Sequence, residues 1–107
     1  MAQILMRQYD VFENPSPRTR KLMPLLVVLQ SDLVSETDAV IVAPLTEVIP
    51  QEGSRLYPEF AVADKSYTLL TPDMASIPRA ALTQRVASLA PEWNRITAAI
   101  DILFTGV

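Results

Sequence analysis

The stretch that decides the fold is LLVVLQSDLVSETDAVIVAPL, residues 25–45. Two apolar runs, Leu25-Leu26-Val27-Val28-Leu29 and Ala39-Val40-Ile41-Val42-Ala43, flank a polar segment, and Pro24 and Pro44 bracket the whole. Runs this short are marginal as helices. Their Val, Ile and Leu content suits strands buried on both faces. Residues 35–38 (SETD) make the turn, so the stretch reads as a hairpin at the centre of a sheet. Pro44 is expected to mark the end of its central pairing, because proline offers no ladder donor.

On the N-terminal side, residues 4–12 are expected to form a first strand, with Tyr9 and Val11 on one face and Asp10 and Phe12 on the other. Residues 13–21 hold Pro15 and Pro17, then Arg18, Arg20 and Lys21, which predicts an exposed loop with a cationic cluster. Such a cluster is either plainly solvated or a contact for an acidic partner.

On the C-terminal side, residues 46–58 form a connection with Pro50, Gly53 and Pro58, expected to be the most mobile stretch. Residues 59–62 and 66–71 read as a second hairpin turning at Ala63-Asp64-Lys65. Residues 74–77 read as a short strand between Pro72 and Pro78, residues 80–82 as one helical turn, and residues 85–89 as a last strand. Residues 91–107 read as an amphipathic helix with Pro91 in its first position. At about 100° per residue, Trp93, Ile96, Ile100, Leu103, Phe104 and Val107 share one face, and Asn94, Arg95, Ala98, Asp101 and Thr105 take the other. Ile102 stands amid the polar face. The stripe is expected to cover the sheet, while the ending Phe104-Thr105-Gly106-Val107 could instead meet a partner. The expectation is a mainly β fold with a C-terminal α-helix, a small barrel or half-barrel in a single domain spanning 1–107.

Composition narrows the chemistry. The chain has 107 residues, half of them hydrophobic and a fifth charged, which suits a folded domain rather than disorder. It has no cysteine and no histidine, so thiolate or imidazole metal sites, disulfides and His-based triads are excluded. Two glycines, Gly53 and Gly106, cannot build a dinucleotide fingerprint or a P-loop. Lys21 and Lys65 lie outside any Ser-x-x-Lys spacing, and Glu36 with Asp38 reads as a solvated turn pair. A net charge of −3 counts against direct nucleic-acid binding. The longest apolar runs fall far short of the roughly 20 residues of a membrane span, and the opening MAQILMRQYD lacks a secretory pattern. The residues therefore favour a cytoplasmic, non-catalytic binding protein with no cofactor, metal or membrane.

An ordered set of segments runs through almost the whole chain. It comprises Tyr9-Asp10-Val11-Phe12-Glu13-Asn14-Pro15 with Arg18-Thr19-Arg20-Lys21, Leu29-Gln30-Ser31-Asp32-Leu33, Val42-Ala43-Pro44-Leu45 and Leu56-Tyr57-Pro58. It continues with Leu70-Thr71-Pro72-Asp73-Met74-Ala75-Ser76-Ile77-Pro78, Val86-Ala87-Ser88-Leu89 and Leu103-Phe104-Thr105-Gly106-Val107. Taken together these segments resemble the CcdB toxin family.

The resemblance implies an SH3-like barrel shared with the ribonuclease toxins MazF and Kid, a homodimer, and a CcdA-like antitoxin as partner. It implies a toxin of a type II toxin–antitoxin system that binds the DNA gyrase A subunit and traps the cleaved DNA complex, itself cutting nothing. On that basis the gyrase-binding residues would be Phe104, Thr105, Gly106 and Val107, with Leu33 and Val34 standing where the plasmid-borne member has two isoleucines near its dimer axis. Arg18, Arg20 and Lys21 would meet the antitoxin. Thr105 departs from the pattern, since the plasmid-borne member carries tryptophan there, and loss of such an anchor commonly costs about 2 kcal/mol or more. Asp101 replaces an asparagine. The alternatives are a CcdB-fold protein that binds its antitoxin with a lost or altered target, or an endoribonuclease of the MazF and Kid kind. Those ribonucleases carry an Arg and Asp pair on the strand that here reads Met74-Ala75-Ser76-Ile77, where only the flanking Asp73 and Arg79 are present.

Overall fold

A computed structural model describes residues 6–48 and 55–106. Along the chain run β1 (Asp10–Glu13), β2 (Leu25–Val28), β3 (Ala39–Thr46), β4 (Glu59–Val62), β5 (Lys65–Leu69), β6 (Ala75–Pro78), β7 (Arg85–Ser88) and the helix α1 (Trp93–Thr105). The strands pair antiparallel in the order β4-β5-β3-β2-β1-β7, with β6 added to β3 off that path. The expected mainly β half-barrel with a C-terminal helix is what forms.

The hairpin of β2 and β3 is its centre. All of β2 is buried, as is β3 from Val42 to Thr46. Alternation sends odd and even residues to opposite faces. Val11, Val27, Ala43, Leu45 and Leu69 pack on one face together with Ile96 of α1. Phe12, Leu26, Val28, Val40, Val42 and Leu82 pack on the other. Burying each large aliphatic side chain contributes about 1.5–3 kcal/mol, which makes two-sided burial the dominant stabilising feature here.

Pro44 does not end the pairing, as its lack of a donor had suggested. Pro44 lies opposite Leu26, and β3 continues to Thr46. Its amide position points to the edge where β3 changes partner, between β6 at Ala39–Val42 and β5 at Leu45 and Thr46. No donor is needed in that gap, and the Pro44 carbonyl accepts from the Leu70 N–H at 2.9 Å.

The first strand starts later than expected. Tyr9 has φ 72°, and the Arg7 N–H donates to Asp10 Oδ2 at 3.0 Å, which closes a turn before β1. Ile4 of the expected strand lies outside the described residues, as do Pro50 and Gly53 of the connection expected to be mobile. The β4–β5 hairpin turns on two residues rather than three. Ala63 and Asp64 both have positive φ, 50° and 67°, the geometry whose twist matches the flanking strands. β5 then stops at Leu69, and Pro72 joins a 3-10 turn at Thr71–Asp73.

The helix also departs from the sequence reading. Pro91 sits in a 3-10 turn, Ala90–Glu92, and α1 begins at Trp93. Its fully buried residues are Ile96 and Ala99, with Ile100, Ile102 and Leu103 half-buried. Trp93 and Phe104 are exposed, at 56% and 68%. The contact line runs through Ile96, Ala99 and Leu103, which places Trp93 and Phe104 on a flank and Ile102 at the opposite margin. Arg95, assigned to the solvent face, pins the helix to β4. Its guanidinium lies 4.6 Å from the Phe60 ring centroid, and Nη2 donates to the Glu59 carbonyl at 2.8 Å. Among the described residues no helix is long and apolar enough to cross a membrane.

Candidate functional site

The cationic loop has a fixed backbone beneath exposed charges. Asn14, directly after β1, is 6% exposed. Its Nδ2 donates to Thr19 Oγ1 at 2.9 Å and to the Met23 carbonyl at 2.8 Å, and its Oδ1 accepts from the Ser16 N–H at 2.9 Å. The two prolines leave the segment poor in ladder donors, and one buried amide replaces them. Arg18, Arg20 and Lys21 are all exposed. A groove of about 330 Å³ opens beside Arg20, with Glu13, Thr83 and Gln84 among its walls.

The loop between β2 and β3 is built on Gln30. Its Nε2 donates to the Val34 carbonyl at 2.6 Å and to Thr37 Oγ1 at 2.8 Å, while its Oε1 accepts from the Ile41 N–H at 3.3 Å. A 3-10 turn, Asp32–Val34, follows Ser31, whose Oγ accepts from the Leu33 N–H. Arg79 braces the far side, donating through Nε to the Thr37 carbonyl at 2.9 Å and through Nη2 to Thr37 Oγ1 at 3.3 Å. Asp32 Oδ1 accepts from the Gln8 N–H at 2.7 Å. The result holds Leu33 out at 96% exposure and Val34 at 48%. Glu36 and Asp38 are exposed, as turn carboxylates should be.

The third surface is the end of α1. Gly106 has φ 77°, and its N–H donates to the carbonyls of Asp101 and Ile102 at 3.2 and 3.1 Å, which stops the helix. A Cβ at Gly106 would meet nothing within 4 Å, so the left-handed φ, not space, favours glycine here. The Thr105 hydroxyl donates to the Asp101 carbonyl at 2.7 Å and is thereby folded back on its own helix. Val107 lies outside the described residues. Leu33 and Val34 share neither a hydrogen bond nor a core cluster with Phe104, Thr105 or Gly106. The described residues therefore present three surfaces.

Among groups able to do chemistry, Asp10 is 4% exposed and pairs with Arg85 Nη1 at 3.3 Å. The Tyr9 hydroxyl is pushed up from its ordinary pKa, first by burial and then by the Asp32 charge. No group of three carboxylates converges as a metal site among the described residues. Sequence reasoning missed the roles of Asn14, Gln30 and Arg79, and the exposure of Leu22, Val48 and Trp93. The available signal was an amide residue at the start of each loop, Asn14 after β1 and Gln30 after β2.

Residues 8–106 match the family described as CcdB protein. A solved structure described as an endoribonuclease in complex with its cognate antitoxin, from a mycobacterial species, is similar in fold. Its TM-score is 0.68 at 9% identity, covering 91% of this chain and 92% of that one. This likeness corrects the reading of the chain as no enzyme. In that neighbour the same fold belongs to an endoribonuclease, so the fold gives no ground for excluding catalysis.

Proposed function

We propose that this chain, which belongs to the CcdB family, is the toxin of a toxin–antitoxin pair and acts on the DNA gyrase A subunit through the end of α1. The observation that carries the reading is the exposed Phe104, 68% accessible on a helix stopped by the left-handed Gly106. An aromatic side chain left in solvent on a capped, rigid helix suits a binding anchor. Leu33 and Val34 supply a second apolar surface, suited to a homodimer contact, and Arg18, Arg20 and Lys21 suit the acidic segment of a CcdA-like antitoxin. With threonine at position 105, Phe104 is the aromatic group at this end of the helix.

The test is growth arrest on induction and its relief by the antitoxin, followed by purified chain with gyrase and supercoiled DNA. Accumulation of cleaved DNA supports the reading. If wild type fails but Thr105→Trp traps the complex, the gyrase contact has been weakened in this chain. A second reading, RNA cleavage, is favoured by the endoribonuclease neighbour. Degradation of RNA by the purified chain, with gyrase untouched, would replace the first reading by the second.

A further inference from the structure

Met6 stands at the edge of the second core face, half-buried against the cluster that holds Phe12, Leu26, Val28 and Val40. Its sulfur accepts from Arg79 Nη1 at 3.4 Å. The same guanidinium donates through Nε to the Thr37 carbonyl at 2.9 Å and through Nη2 to Thr37 Oγ1 at 3.3 Å. Arg79 makes no ion pair among the described residues, so neutral acceptors alone fix its fork. Thr37 Oγ1 in turn accepts from Gln30 Nε2 and donates to the Ala39 carbonyl. Gln30 Nε2 also holds the Val34 carbonyl. One chain of bonds therefore runs from a thioether to the loop that displays Leu33 and Val34. Leucine would fill the same gap in the core, but only methionine also gives Arg79 an acceptor. A cavity of about 10 Å³, room for a water-sized molecule, has Met6, Gln30, Ser31 and Arg79 among its walls.

We propose that Met6 is an oxidative modification site that controls this loop, with hydrogen peroxide as the oxidant. The Sδ lone pair attacks a peroxide oxygen and the O–O bond breaks. The departing hydroxide takes the proton of the transferred oxygen and leaves as water, so the sulfur is oxidised to the sulfoxide and the peroxide reduced. The sulfoxide oxygen is a stronger acceptor than the thioether it replaces, and Nη1 follows it. An oxygen set between Sδ and Nη1 would lie too close at the present 3.4 Å, since N–H···O bonds run about 2.7–3.2 Å. The guanidinium must therefore shift, and its planar fork carries Nε and Nη2 away from Thr37 together. Thr37 and Gln30 then lose their brace, and the loop loosens around Leu33. A polar sulfoxide against Phe12 and Val40 adds to the disturbance. The other half-buried methionines have no such link to the loop. Met74 packs in the opposite core cluster, and Met23 meets the Asn14 loop through its backbone. The proposal stands independently of the toxin reading.

The experiment compares two full-length chains, both carrying Met23→Leu and Met74→Leu, swaps of nearly conserved volume. One keeps Met6 and the other adds Met6→Leu. After treatment with hydrogen peroxide, peptide mass spectrometry should place an added oxygen on Met6 of the first chain. Amide hydrogen exchange is then followed at Val34 and Ile41, whose N–H groups bond to the Ser31 carbonyl and to Gln30 Oε1. Both should exchange about tenfold faster, the scale of losing the Arg79 bonds to Thr37. Methionine sulfoxide reductase should return the original rates. The chain with Met6→Leu should exchange slowly at both amides before and after peroxide. Unchanged exchange in a chain whose Met6 is oxidised overturns the proposal. So does equal quickening in the Met6→Leu chain, or a Met6 that peroxide fails to oxidise in the folded protein.

Discussion

In the loop at residues 13–24, the Asn14 amide is 6% exposed and satisfies a hydroxyl, a carbonyl and an N–H. In the loop at residues 30–38, the Gln30 amide does the same for a carbonyl, a hydroxyl and an N–H, but half-exposed and braced by Arg79. One loop presents Arg18, Arg20 and Lys21, and the other presents Leu33 and Val34. The difference lies in what is displayed, not in how it is held. A single amide can stand in for a strand ladder and leave neighbouring side chains free for partners of opposite character.

The largest effect should come from Asn14→Ala. It removes a buried amide and strands the half-buried partners of three bonds, and the expected loss is about 2–4 kcal/mol by urea denaturation. A loss under about 0.5 kcal/mol, the range of ordinary surface changes, would break the comparison on its cationic side. Gln30→Ala should cost less, about 1–2 kcal/mol, because solvent can reach part of its loop. Equal losses at the two positions would mean that burial does not set the difference.

Ala63→Asn serves as a turn with no amide keystone. Asparagine tolerates the left-handed φ of 50° better than alanine, so stability should rise by roughly 0.5–1 kcal/mol. A loss would show that the Ala63 methyl packs rather than strains. The smallest effects on stability belong to the displayed residues. Leu33→Ser, like the triple alanine change of the cations, should shift it by no more than about 0.5 kcal/mol. On the homodimer proposal, sedimentation should nonetheless show wild type as a dimer and Leu33→Ser as a monomer. A dimer in both would remove the Leu33 loop from the interface.

The centre of the fold was legible because two-sided burial writes itself as short apolar runs, all Val and Leu at residues 25–29 and mainly Val, Ile and Ala at residues 39–43. Pro44 misled because sequence gives no sign that β3 changes partner at that residue. The helix was legible in kind but not in rotation. Its face was assigned by its largest residues, Trp93 and Phe104, whereas the residues it buries fully are Ile96 and Ala99. Tyr9 was unreadable for a related reason. Its positive φ is imposed by the Asp10 carboxylate turning back on Arg7, a contact that no periodicity records. Of the surfaces, the cations and the helix end could be found from residue type, but Leu22 and Val48 could not, because an isolated aliphatic is read by default as core.

The most direct measurement concerns Phe104, the exposed residue on which the toxin reading depends. Phe104→Ser should keep the melting temperature within a few degrees, keep antitoxin binding, and abolish both growth arrest and trapping of cleaved DNA by gyrase. Undiminished growth arrest from a folded Phe104→Ser chain would contradict the account and move the effector surface away from the end of α1.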